Sequence, residues 1–409
     1  MAGKQFGRPT VIAAAMALLL AACGADPTAT PTSAPAATPP PQPAATPTPD
    51  EAALFQAEWD ALIEAAQEEG QLSMVFGGGG RSYRPLASFF GEEFGIEVIV
   101  ATGSGSAGVN RVLAEQATGR YLVDVMYGGP TSVATRLIPG EAVVPVADLF
   151  MRPDVIDESL WYAGRHYYSD PQQKFHFAFA ASASPQNMGM YYNTDLVSQE
   201  DIDAMNSVFD LLDPKWKGKI VAGLPIGGGS SGTYFRAYVQ PDIGTEWING
   251  FFAPELEVTF SPDRRFIVDG VANAKFHMVV AAGGLTDLDA LSSLGAPVKE
   301  LRKEFKEGGV MVSNSDRHNM AVPKNQPHPN AAKLWVNWWL SKEGQTLMHT
   351  LSVESKPTLR ADVTDWGTTL EEDRRVEGKS YYSFGTDPEY VGRRQEANDW
   401  VTAAYEATH

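Results

Sequence analysis

The sequence predicts an α/β fold of two lobes facing each other across a ligand cleft, and three observations predict it. Two stretches of the chain each repeat a strand, a glycine-rich turn and a helix. Between them stands Asn187-Met-Gly-Met-Tyr-Tyr-Asn-Thr-Asp-Leu-Val197, an apolar and aromatic run closed by a turn-forming Asn-Thr-Asp, expected to cross from one lobe to the other. With 409 residues, 44% of them hydrophobic, the chain is also longer than one core normally serves.

The first residues are an address. Lys4 and Arg8 precede an apolar run, Val11 to Leu20, that is short for a membrane span, so residues 1–22 read as an export signal. Leu20-Ala21-Ala22-Cys23 resembles the lipobox of bacterial lipoproteins. The resemblance implies that Cys23, the single cysteine, is acylated and holds the protein at the outer face of the bacterial cell membrane or in the periplasm. Residues 23–50, dominated by Pro, Thr and Ala, form an extended tether that cannot bury a core.

Glu51 to Glu69 has Leu54, Trp59, Leu62, Ile63 and Ala66 near one face and is stopped by Gly70, which predicts a helix. The first lobe then alternates strands at 71–76, 96–101 and 123–127 with helices that open after Gly/Ser turns. In the second lobe, strands at 219–223, 256–260 and 276–281 alternate with helices in the same way. Segments 310–314 and 319–322 are expected to return to the first lobe, and an apolar helix follows over Ala331 to Leu340. These readings divide the chain into 51–185 for the first part of lobe 1, 186–310 for lobe 2, and 311–409 for the return to lobe 1 and C-terminal helices. The tail after Leu351 is aromatic-rich, without a regular pattern.

In open α/β sheets, guests bind beyond the carboxyl ends of strands, where helix N-termini offer unpaired NH groups. The candidate ligand residues are therefore Gly79, Gly80, Arg81, Ser104, Gly105, Ser106, Tyr127, Gly128 and Thr131 in the first lobe. From the crossover and second lobe come Tyr192, Gly229, Ser230, Ser231, Thr233, Gly283 and Gly284. Glycines admit close backbone approach, and the hydroxyls cap helices or donate to a guest. Arg81, Arg84 or Arg264-Arg265 would add a charged fork, and Tyr127 and Tyr234 either stack on an organic guest or fill the core. A formal charge of -18, with no basic stripe, argues against nucleic acid.

Three segments resemble the type II periplasmic solute-binding proteins of ABC importers, in the branch labelled ferric-iron binding. Met190-Tyr-Tyr-Asn-Thr-Asp-Leu196 is similar to that family's hinge strand. His328-Pro-Asn-Ala-Ala-Lys-Leu334 with Trp338-Trp-Leu-Ser-Lys-Glu-Gly-Gln345 is similar to its late helix, and Ala296-Pro-Val298 to the strand after the second-lobe ligand loop. The resemblance implies the two-lobed type II periplasmic-binding-protein fold, closure by hinge motion, and delivery of a small-molecule or ferric ligand to ABC permease subunits. It implies no enzyme activity and no cofactor, and the expected state is a monomer tied to the membrane by its lipid anchor.

Iron-binding members place an adjacent tyrosine pair in the second-lobe loop, where this chain has Ala281-Ala-Gly-Gly-Leu-Thr-Asp287. Tyr191-Tyr192 and Tyr167-Tyr168, the latter beside His166, stand elsewhere. A small organic anion is thus the first expectation for the guest, and ferric iron or a ferric-anion complex the alternative. A third reading, a secreted hydrolase, rests on Gly228-Gly229-Ser230-Ser231-Gly232, which matches a nucleophile elbow around Ser230. The histidines show no His-Glu-x-x-His spacing, and Gly378-Lys379-Ser380 has Asp373 where a phosphate loop needs a glycine.

Overall fold

The structure, a computed structural model, describes residues 49–409 apart from 78–79, 104, 187, 227–229, 283–284, 313–317 and 353–354. The export signal, Cys23 and the tether up to residue 48 lie outside the described residues, as do Gly79, Ser104, Gly229, Gly283 and Gly284. No helix among the described residues is long and apolar enough to cross a membrane.

Helix α1 (Pro49–Glu69) ends at Gly70, whose φ of 70° turns the chain into β1 (Gln71–Phe76). α2 (Arg84–Phe94) and α3 (Gly105–Ala117) then connect β1 to β2 (Glu97–Thr102) and β2 to β3 (Val125–Tyr127). Both strands pair parallel to β1, Gln71 opposite Glu97 and Met74 opposite Val125. A short turn α4 (Pro130–Ser132) runs into a π-helical turn at 133–137, and β4 (Val143–Val144), α5 (Pro153–Ile156) and β5 (Phe177–Ala178) follow.

The second sheet is built from β7 (Tyr191–Asn193), β8 (Ile220–Gly223), β9 (Thr259–Ser261), β10 (Met278–Val280) and β11 (Val298–Glu300), in the spatial order β11-β7-β10-β8-β9. β8 runs parallel to β9 and β10, whereas β7 is antiparallel to both its neighbours. Its helices are α6 (Gln199–Ala204), α7 (Ser231–Val239), α8 (Gly244–Phe252), α9 (Arg264–Ala272) and α10 (Thr286–Ser293). Asp263 caps α9, its carboxylate accepting from the backbone NH groups of Arg265 and Phe266.

Two strands, β6 (Ser182–Ser184) and β12 (Val310–Val312), join the halves as a separate antiparallel ribbon. This corrects the expectation for Asn187–Val197. The crossing comes earlier, at β6, and the Tyr191–Asn193 strand lies inside the second sheet, flanked on both sides. Beyond β12 the chain re-enters the first sheet as β13 (Asn319–Pro323), antiparallel to β3, β4 and β5.

α11 (Pro329–Leu340) is buried on nearly every side: Trp335, Trp338 and Trp339 are at most 1% exposed. It packs in one core with Trp59, Leu62 and Ala66 of α1 and Phe90 of α2, whose ring meets Trp335 edge-on at 4.9 Å. A helix apolar all round needs cover all round, and each large side chain removed from water contributes about 1.5–3 kcal/mol. α12 (Lys342–Leu351) follows, capped by Ser341.

The tail visits both halves. Thr358 and Arg360 bridge to Ala180 and Trp161 in the first half, and Tyr382 bridges to Val310 in the ribbon. After α13 (Pro388–Val391), the last helix α14 (Arg394–Glu406) lies on the second half, where Val401 joins the core of Tyr234, Trp247 and Phe252.

Candidate functional site

Parallel pairing brings the carboxyl ends of β1, β2 and β3 to one edge. There Gly77 N donates to Tyr127 O at 2.9 Å and Gly103 N to Phe76 O at 3.2 Å, so the turns leaving the three strands lie side by side. The second sheet repeats this: Leu224 N, just past β8, donates to Ser261 O at the end of β9 at 2.9 Å. Gly223, the last residue of β8, has no room for a side chain, since a Cβ would meet Ser230 Cβ at 2.8 Å and Ala281 O at 2.9 Å. That close approach folds the turn before α7 over the strand end. Ala281, where the loop after β10 begins, holds φ at 55°, which costs a residue with a Cβ about 1–2 kcal/mol. Strain of this kind collects where surrounding structure needs a particular loop path, as at ligand sites.

Among the sequence-predicted residues, Thr131 is exposed on the first turn of α4, directly after β3 and Gly128. Ser230 is 7% exposed and precedes α7 without a side-chain capping bond. Thr233 is buried one turn on, its Oγ1 accepting from Arg236 Nη2 at 3.1 Å. Gly80 and Arg81 lie in a 3-10 turn, Gly105 and Ser106 open α3, and Ser231 opens α7. Tyr127 and Tyr192 are packed in the two cores, 0% and 4% exposed. Tyr127 Oη accepts from Trp335 Nε1 at 2.9 Å. Tyr234 is likewise a core residue, donating to Gly223 O at 3.1 Å.

The arginines weighed as forks differ from those the structure brings in. Arg264 Nε pairs with Asp287 at 2.7 Å on an exposed surface, and Arg265 reaches Asp269 within its own helix. Two others, Arg236 and Arg394, meet where the halves meet. Arg394, the first residue of α14, lays its guanidinium 4.3 Å from the Phe235 ring centre and donates from Nη1 to Thr131 Oγ1 at 3.4 Å. It therefore touches both halves, the turn after β3 in the first and helix α7 in the second. Burial lowers its pKa to about 10; burial and then the charge of Arg394 lower that of Arg236 to about 10 as well. The buried Arg394 guanidinium, with the half-buried Arg236 near it, makes this place positive and suited to an anion.

Sequence reasoning missed both. Arg236 had a faint signal, a cation one turn inside a helix that opens from a Gly/Ser loop. Arg394 had none, because nothing local in the tail says which strand ends it will meet.

The tyrosines weighed for metal are poor phenolates. Burial raises the pKa of Tyr167 and Tyr168, and burial followed by the charge of Glu300 raises that of Tyr191. Among the described residues, no group of three or more His, Cys, Asp or Glu side chains is placed to hold a metal ion. Nor, among them, does a histidine hydrogen-bond to the Ser230 side chain, as a nucleophile elbow requires.

A family model described as bacterial extracellular solute-binding protein matches residues 57–346. No curated protein sequence matches the chain. Among solved structures, iron-bound HitA from Pseudomonas aeruginosa is 16% identical with a TM-score of 0.56, covering 82% of this chain and 99% of its own. The Trichodesmium protein IdiA (FutA), in complex with iron and citrate ligands, gives the same figures of 16%, 0.56, 82% and 99%. The periplasmic binding protein AfuA from Actinobacillus pleuropneumoniae, with exogenous fructose-6-phosphate bound, is 16% identical with a TM-score of 0.52 over 82% of this chain and 99% of its own. At such identity the likeness establishes a shared fold.

Proposed function

Because the chain belongs to the bacterial extracellular solute-binding proteins, we propose that it captures a small organic anion between its two α/β halves and delivers it to the membrane permease of an ABC importer. The observation that carries the reading is the buried guanidinium of Arg394, held between Thr131 of the first half and Phe235 of the second, with the half-buried Arg236 on Thr233 close by. A buried guanidinium such as that of Arg394, whose Nε and Nη2 have no acceptor among the described residues, is costly, on the order of 3–5 kcal/mol, until an anion joins it. Binding returns that cost, and closure about the β6–β12 ribbon shuts water out and strengthens each charge-assisted hydrogen bond. The sugar phosphate held by AfuA shows that this fold accommodates such guests.

The lipobox-like Leu20–Cys23 extends the reading to an exported protein anchored by lipid on a Pro/Thr/Ala tether, working as a monomer. A ferric-anion complex is the second reading, favoured by the iron in HitA and the iron and citrate in FutA.

Thermal-shift titration with sugar phosphates, phosphonates, dicarboxylates and ferric citrate tests the proposal, since a ligand that binds only the folded state raises Tm as its concentration grows. An organic anion that raises Tm without iron supports the reading. A response to ferric citrate alone replaces it with the second.

A further inference from the structure

We infer that Arg394 is the fork that grips the guest through a pair of neighbouring oxygens, and that the guest carries two negative charges, as in a phosphate monoester, a phosphonate or a dicarboxylate. This rests on the anion reading above and sharpens it to a residue and a charge. Arg394 is 7% exposed, and its Nη1 is spent on Thr131 of the first half. Nε and Nη2 are buried and have no hydrogen-bond partner among the described residues. Those two nitrogens form the side edge of the guanidinium, the edge that matches a pair of carboxylate or phosphoryl oxygens. A guanidinium does not shed its charge in a protein, so burial leaves two donors calling for an acceptor.

The fork is held in place. Glu396, two residues along the same helix, accepts from Tyr238 Oη of α7 at 2.7 Å and from Arg393 Nη2 at 3.0 Å, fixing the start of α14 against the second half. Phe235 supports the guanidinium face from the same helix α7. Arg236, next in sequence to the Phe235 that supports this guanidinium and held by Thr233 Oγ1 at 3.1 Å, adds a second positive charge within electrostatic reach, so a guest with two negative charges fits better than one with a single charge. Arg394 also lies beyond the region 57–346 matched by the family model. The tail thereby contributes to the cleft a recognition group that the matched region does not contain.

The test is a thermal-shift and calorimetric titration of the full chain, as wild type, Arg394→Gln and Arg394→Lys, with inorganic phosphate, phenylphosphonate, malonate and acetate. At least one of the first three is expected to raise the wild-type Tm, with acetate far weaker. Arg394→Gln is expected to weaken that binding at least tenfold. Arg394→Lys keeps the charge without the fork and should fall between. Without ligand, Arg394→Gln should melt at or above the wild type, since it removes an unpaired buried charge. Wild-type binding that survives unchanged in Arg394→Gln overturns the role of Arg394 and leaves the anion reading standing, whatever that variant's own Tm. Acetate binding as tightly as the others overturns the two-charge assignment. A wild type that answers to none of the four anions fells the anion reading and this inference with it.

Discussion

Trp335 Nε1 donates to Tyr127 Oη at 2.9 Å, tying the late helix α11 to the carboxyl end of β3, one residue from the turn that carries Gly128 and Thr131. Both side chains are fully buried, and the Tyr127 ring also lies 4.7 Å from Phe76 and 5.7 Å from Trp339. The last residue of a strand, next to a glycine turn, is a guest position by sequence, yet the hydroxyl is already used and the ring already covered. Tyr127→Phe should leave the indole NH buried and unpaired, costing about 1–3 kcal/mol in urea unfolding, while guest affinity stays within about twofold. A large loss of affinity without a loss of stability would instead place the ring on the guest.

Acid should destabilise the fold through two buried imidazoles. Burial lowers the pKa of His349 to about 4 and that of His176 to about 3, from an ordinary 6.5. For His349, Asp365 opposes the shift and Arg375 and Arg374 add to it. In the unfolded chain both take up a proton near pH 6.5, whereas the folded chain keeps them neutral, so unfolding consumes protons below that pH. Stability should be flat with respect to these groups above pH 6.5 and fall from there to about pH 4 for His349, and on to about pH 3 for His176. A series of melting curves against pH checks this. His349→Gln, which can still bond Ser355 and Thr369, should flatten the part of the slope between 6.5 and 4.

Much of the frame was legible because strands and helices carry their own period. The β1 expectation matches the structure at both ends, and α11 begins at Pro329, just ahead of Ala331, because proline suits a helix's first turn. β3 was expected from Val123 but starts at Val125, since the Asp124 carboxylate itself takes the Ser73 NH at 2.7 Å. The expectation of C-terminal helices did not place α14, although Ala397, Trp400, Val401, Ala404 and Tyr405 have helical spacing; charged and amide residues between them diluted the signal. The site was half legible. Glycine and hydroxyl turns announce strand ends, but which cations converge on them is decided by long-range packing, and the Arg394–Thr131 contact spans 263 positions of sequence.

Ferric ion should give no phenolate charge-transfer band with this protein. A phenolate ligand must lose its proton, and burial raises the pKa of Tyr191, Tyr192, Tyr167 and Tyr168 instead of lowering it. Visible spectra recorded while ferric citrate is added should therefore show only the citrate complex. A new band that disappears in Tyr191→Phe or Tyr192→Phe would restore the iron reading.

The tail carries a second buried arginine, and comparison with it separates structure from site. Arg360 is 1% exposed, and every part of its guanidinium is engaged: Nε and Nη2 reach the two oxygens of Asp362 at 2.8 and 2.9 Å, and Nη1 donates to Leu340 O at 2.9 Å and Asp154 O at 3.0 Å. It thereby ties the end of α11 and the α5 turn to the tail. Removing it leaves the Asp362 carboxylate and two carbonyls without their donor, so Arg360→Met should cost about 3–5 kcal/mol. Lysine keeps one charge but cannot fill that many acceptors, and Arg360→Lys should recover only part of the loss. Arg394→Met removes a guanidinium whose side edge has no partner among the described residues, and should leave ligand-free stability unchanged or raised. Denaturant midpoints of the three variants, taken without ligand, distinguish the roles. Equal losses for Arg360→Met and Arg394→Met would mean that both arginines serve the fold alone.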